Sequence, residues 1–129
     1  MFFLKITAFN PMIITPNAER IVDLFKELGF EIHHNKKNVG SQKVNAIVMK
    51  DPNGFHIDVS QPEMELPYDV QAIRINVSDF EEAYELFMSH GFENFYGKDY
   101  VVTPSSKSAV LRSPSGLVIN LVEHIRKDG

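Results

Sequence analysis

The chain of 129 residues contains no cysteine. That absence excludes disulfides, thiolate nucleophiles and thiolate metal sites together. No excess of positive charge is present either: 13 Lys and Arg stand against 17 Asp and Glu, a net charge of −4. The densest basic group, Lys36, Lys37 and Lys43, falls in a polar hairpin and reads as a solvated rim rather than a phosphate-binding stripe. Nucleic acid is therefore not an expected partner. Long apolar runs are missing as well. The opening Met1-Phe2-Phe3-Leu4 is interrupted by Lys5 and lacks a small-residue cleavage site, so neither a signal peptide nor a membrane span is expected. The default expectation is a cytoplasmic protein without a membrane partner.

What the chain does have is an internal repeat. A shift of 62 positions, without a gap, carries Leu24, Phe25, Gly29, Phe30 and Glu31 onto Leu86, Phe87, Gly91, Phe92 and Glu93. The same shift carries Glu19 to Glu81, Val48 to Val110, Pro52 to Pro114, Gly54 to Gly116 and Ile57 to Ile119. The length suits one domain with an ordinary core, so the expectation is a single domain over 1–129, with module one at about 8–61 and module two at about 69–124. Gln61 to Tyr68, carrying Pro62 and Pro67, reads as the linker.

Each copy reads as strand, helix and three strands. The first helix begins at Asn17, a good N-cap, and stops at Leu28-Gly29, with Ile21, Leu24, Phe25 and Leu28 as its apolar stripe. The second opens at Ser78-Asp79, with Glu81 placed three residues after Ser78 as in a capping box. Its stripe is Ala83, Leu86 and Phe87, and it ends at Gly91. Strands are predicted over Ala8–Thr15, Val44–Met49, His56–Ser60, Val70–Val77, Ala109–Arg112 and Leu117–Val122. The Ser105, Ser106 and Ser108 group reads as a polar loop, and no serine stands out as a nucleophile.

Alternation sorts these strands into faces. Phe55, Ile57 and Val59 share one face, and His56, Asp58 and Ser60 the other. Ile73, Ile75 and Val77 face a helix, so Ala72, Arg74 and Asn76 face away. Their counterparts one repeat earlier are Asn10, Met12 and Ile14. The polar residues thus gather on the faces that helices leave open.

Two βαβββ units, each with a turn like Asp51-Pro52-Asn53-Gly54 before its last strand, resemble the vicinal oxygen chelate superfamily of glyoxalase I, bleomycin-resistance proteins and extradiol dioxygenases. The resemblance spans Asn10 to Glu123 and implies an α+β fold whose eight strands form a cupped, half-barrel mixed sheet. It also implies a homodimer, to whose interface Phe2, Phe3, Leu4 and Ile6 could contribute unless they cover the chain's own core. Metal-dependent members place a histidine or glutamine on the first strand of each copy and a glutamate on the last. Here those positions hold Asn10 and Ala72, and Asp58 and Asn120. One carboxylate and two neutral amides make a poor divalent site, and alanine has no donor. No cofactor is expected, with a site rebuilt from Asp58, His56 and His34 as the less favoured alternative. Glu123 falls on the face opposite Asn120 and reads as a surface or interface residue.

The expected ligand-binding residues are Asn10, Met12, His56, Asp58, Arg74, Asn76 and Asn120, and no catalytic residue is assigned. Arg74 suits a carboxylate or phosphate, or else pairs with and neutralises Asp58. Two functions follow. One is a metal-free, bleomycin-resistance-like protein that binds a small organic ligand. The other is a metal-dependent lyase or dioxygenase of the glyoxalase type.

Overall fold

The computed structural model describes residues 4–39, 44–97 and 100–125, the side chains of 36–39 excepted. Lys43, Phe2 and Phe3, and the side chains of Lys36 and Lys37, lie outside the described residues. The chain divides into two compact units, Asn10–Gln71 and Met1–Phe9 with Ala72–Gly129.

The first unit takes β1 (Ile6–Ile14) from Asn10 onward, α1 (Ala18–Glu27), β2 (Glu31–Val39), β3 (Val44–Lys50) and β4 (His56–Gln61). Its strands run in the order β2-β3-β4-β1. The β1–β4 pair is parallel and the others antiparallel. Helix α1 starts where Asn17 Oδ1 accepts from the Arg20 amide (3.2 Å) and Gln61 Oε1 accepts from the Ala18 amide (2.8 Å). Two amides that a helix start leaves without partners are thereby satisfied. The helix ends at Gly29, whose φ of 104° is cheap only for glycine. Just beyond, Phe30 folds back to place its ring edge-on to Phe25 at 5.4 Å.

Beneath α1 the core is Ala18, Val22, Met49, Ile57 and Val59, with Ile13, Ile21, Phe25, Phe30 and Ile47 against it. The predicted stripe needs correction. Leu24 and Leu28 are 50% and 63% exposed, because the buried arc is centred on Ala18, Val22 and Phe25 and turns past them at 100° per residue.

The second unit contains β5 (Val70–Val77) from Ala72 onward, α2 (Phe80–Ser89), β6 (Glu93–Asn94), β7 (Val101–Thr103), β8 (Ser106–Arg112) and β9 (Val118–His124). The order is β5-β9-β8-β6, with β7 also on β8. Its core is Ile75, Val77, Phe80, Ala83, Ala109, Leu111, Ile119 and Leu121, and Leu4 packs against it, covering the chain's own core. Pairing registers in the two units differ by the same 62 positions. Met12 pairs with Asp58 and Arg74 with Asn120; Val48 pairs with Asp58 and Val110 with Asn120.

Two further expectations change here. The cap of α2 is Asp79, which accepts from the Glu82 amide at 3.1 Å, rather than Ser78. Ser78 is taken by the N-terminal segment, its hydroxyl accepting from the Lys5 amide (2.8 Å) and its own amide donating to the Lys5 carbonyl. The predicted serine loop is also partly strand. Ser106 and Ser108 lie in β8, where ladder bonds to β7 and β9 override a weak local strand preference.

Candidate functional site

Strand alternation holds in three dimensions, and it decides which side chains α1 and α2 leave uncovered. In the first unit Ile57 and Val59 lie in the core under α1, so His56, Asp58 and Ser60 point to the helix-free face. Paired residues share a face, so one row across this sheet reads His34, Val48, Asp58, Met12. The next row on the same face contains Ala46, Ser60 and Ile14. Met12, Ile14, Asp58 and Ser60 are all buried, while Asn10 and His56 are half-buried.

The rebuilt metal cluster of Asp58, His56 and His34 is not drawn together by this register. His34 and Asp58 stand on either side of Val48, two strand spacings or roughly 9–10 Å apart at the backbone. A bulge between Ile32 and His34 turns His33 against its neighbour instead, with ring centroids 4.4 Å from His34 and 6.3 Å from His56.

The second unit repeats the arrangement with different chemistry. Ile73, Ile75 and Val77 pack under α2, so Ala72, Arg74 and Asn76 take the helix-free face. Rows on that face read Arg74, Asn120, Val110 and then Asn76, Val122, Ser108. Asn76 is 7% exposed, whereas Arg74 and Asn120 are half-buried. Each unit thus brings its expected site residues onto one face: Asn10, Met12, His56 and Asp58 in the first, Arg74, Asn76 and Asn120 in the second.

Among the described residues, one trio of potential metal ligands presents oxygens within 4.8 Å of one another: Asp79, Glu81 and Glu123. It lies at the start of α2, and all three of its members are already engaged, Asp79 through the Glu82 amide that it caps. Glu123 Oε1 accepts from the Phe80 amide at 2.6 Å. Glu81 Oε1 accepts from Lys107 Nζ at 2.6 Å, a hydrogen bond that raises the Lys107 ammonium above its ordinary range. Glu123 is therefore a helix-capping residue, a role the sequence reading missed. The repeat held the signal: the same shift carries Gln61 to Glu123 and Ala18 to Phe80, and Gln61 caps α1 through the Ala18 amide.

Tyr96 was also missed. Its hydroxyl is buried with no hydrogen-bond partner among the described residues, and burial pushes its pKa up to about 12. A raised phenol pKa favours the neutral form in the fold. Its contribution to stability is complete below the unfolded value near 10 and is lost as pH climbs through about 12. An ultraviolet phenolate titration should therefore show a late phase near pH 12 that Tyr96→Phe removes. A titration unchanged by that substitution would contradict the burial.

No family model matches the chain, and no curated protein matches it. Solved structures do. Methylmalonyl-CoA epimerase from Mycobacterium tuberculosis is 17% identical with a TM-score of 0.68, over 94% of this chain and 90% of that one. A variant of the Streptomyces coelicolor methylmalonyl-CoA epimerase, in complex with 2-nitronate-propionyl-CoA, is 16% identical with a TM-score of 0.67, over 97% and 99%. A glyoxalase I variant from Zea mays is 15% identical with a TM-score of 0.62, over 95% of this chain and 44% of that one. Among the described residues no helix is long and apolar enough to cross a membrane. At such identities the likeness is one of fold, and by it the chain has the α+β fold of the vicinal oxygen chelate superfamily.

Proposed function

We propose that the protein binds a small organic ligand on the helix-free faces of its sheets, without a resident divalent metal. The observation that carries this reading is the burial, on those faces, of Asp58 and Ser60 with the apolar Met12 and Ile14 in the first unit, and of Asn76 with the apolar Val118 and Val122 in the second. Apolar walls with a few placed polar groups are what small-molecule sites consist of. Arg74, in register with Asn120, adds a guanidinium suited to a carboxylate or phosphate. Methylmalonyl-CoA epimerases of this fold have been solved with methylmalonyl-CoA and with 2-nitronate-propionyl-CoA, so an acyl thioester is one ligand to try.

The donor set argues against a divalent centre. At the positions where metal-dependent relatives are expected to place ligands stand Asn10, Asp58, Ala72 and Asn120. Ala72 supplies no donor, and two amides offer neutral carbonyl oxygens where zinc, iron or manganese favours imidazole and carboxylate. Likeness to glyoxalase I and the epimerases favours a second reading, a metal-dependent enzyme of the glyoxalase type. That reading requires Asp58, His56 and His34 to converge, against the register described above.

Elemental analysis and native mass spectrometry of protein purified without a histidine tag test the proposal. Binding of an organic molecule with substoichiometric metal is expected. Stoichiometric metal that disappears in Asp58→Ala would overturn the metal-free part, and failure to bind any small molecule would overturn the whole. In this reading the protein is a cytoplasmic homodimer, and the same spectra read its oligomeric state.

A further inference from the structure

Where α1 ends and β3 turns towards β4, the first unit has a cavity of about 320 Å³. Glu31, Lys50 and Asp51 are its charged lining, beside His33, and Gly29 and Pro52 line it too. None of the residues given a ligand-binding role above does so. Glu31 and Lys50 stand opposite one another in register, and both are exposed. Among the described residues neither takes part in an ion pair. Asp51 is occupied by its own turn: its carboxylate accepts from the amides of Asn53 and Phe55 and from the Asn53 side chain. One free carboxylate and one free ammonium thus line the same cavity. The repeat supplies a comparison. Glu93 and Arg112 stand opposite each other at the matching positions of the second unit. There a Cβ placed on Gly91 would come within 3.3 Å of Pro114, whereas one on Gly29 would meet nothing within 4 Å. The corner that Pro114 packs shut in the second unit is open in the first, although Pro52 holds the same place. His33 likewise becomes Phe95. The acid and base are common to both units, but the open corner and the imidazole are features of the first.

Charge decides the ligand class. A simple anion is attracted by Lys50 and repelled by Glu31, and a simple cation meets the reverse. A molecule with both signs satisfies each group through a charge-assisted hydrogen bond. We propose that the cavity binds a small zwitterion of the α-amino acid type, its carboxylate on Lys50 and its ammonium on Glu31. The volume lies at the lower end for small-molecule sites, which suits a ligand of few heavy atoms. The bulge after Ile32 sets the His33 ring 4.4 Å from that of His34, and its imidazole is there to add a hydrogen bond to the carboxylate.

The full chain, labelled with nitrogen-15, is titrated with L-alanine, and with propionate and ethylammonium, which carry one charge each, at matched ionic strength. L-alanine should shift the backbone amide signals of Gly29, Glu31 and Lys50 saturably, and each half-ligand should bind severalfold more weakly. Lys50→Gln and Glu31→Gln should each weaken L-alanine binding about fivefold, the scale of one exposed charge pair. Arg112→Gln and Glu93→Gln, the matched changes in the second unit, should leave it unchanged. All of these side chains are exposed, so the variants are expected to fold. Propionate binding as tightly as L-alanine would make this an anion site, and ethylammonium doing so a cation site; either result overturns the inference. Equal weakening by the changes in both units, the mark of a general field, would overturn it as well. So would the absence of any shift at Gly29, Glu31 and Lys50. The ligand-binding reading of the helix-free faces is independent of these outcomes, because its residues do not line the cavity.

Discussion

Phe80→Ala should lower the unfolding free energy by about 3–5 kcal/mol, read from the midpoint of a denaturant titration. Phe80 is fully buried and packs against two rings, 4.8 Å from Tyr100 and 5.5 Å from Tyr84, at the head of α2. Its counterpart under the 62-residue shift is Ala18, and the two units fill this corner differently. The first has Ala18 and Val22 on the helix facing Ile47 from the sheet. The second has Phe80 and Tyr84 on the helix and the small Ala109 at the place of Ile47. Bulk has moved from sheet to helix, which is how close-packed interiors tolerate large changes of side chain. Ala109→Ile alone should therefore overpack the second unit and cost about 1–3 kcal/mol. Phe80→Ala with Ala109→Ile should cost less than the two singles summed, because each fills what the other vacates. Strict additivity would show that the two positions do not share one volume.

That exchange of bulk explains how much could be read from the sequence. Periodicity and alternation are local, so the two helices, the polar and apolar faces of β4 and β5, and the Asp51 turn were legible. In that turn Asp51 Oδ1 accepts from the amides of Asn53 (3.0 Å) and Phe55 (2.8 Å), a bonding pattern written into five adjacent residues. What misled was decided elsewhere in the chain. Ser78 and Asp79 are both good caps, and the choice between them is made by Lys5, 73 residues away from Ser78. Ser106 and Ser108 become strand because β7 and β9 flank them. For the site, alternation assigned Asp58, Arg74 and Asn76 to open faces, but it does not encode register. Register is what separates His34 from Asp58 and sets Asn120 beside Arg74.

Glu123→Ala should cost about 1.5–3 kcal/mol, the range for a hydrogen bond to a charged group, while Glu123→Gln should cost much less. The carboxylate accepts from the Phe80 amide at 2.6 Å, at the positive end of α2. Nothing else among the described residues satisfies that amide, so alanine leaves it unpartnered beside a fully buried ring. Glutamine keeps the acceptor, and the first unit shows that it suffices, since Gln61 Oε1 holds the Ala18 amide at 2.8 Å. Loss of the charge has two opposing effects. It gives up a favourable interaction with the helix dipole of about 0.3–1 kcal/mol, and it relieves crowding against the Asp79 and Glu81 carboxylates that share the corner. The net change for glutamine is therefore expected near zero, and the gap between the two variants isolates the hydrogen bond from the charge. Equal losses in both would show that the charge acts through the field alone and that the bond to Phe80 contributes nothing.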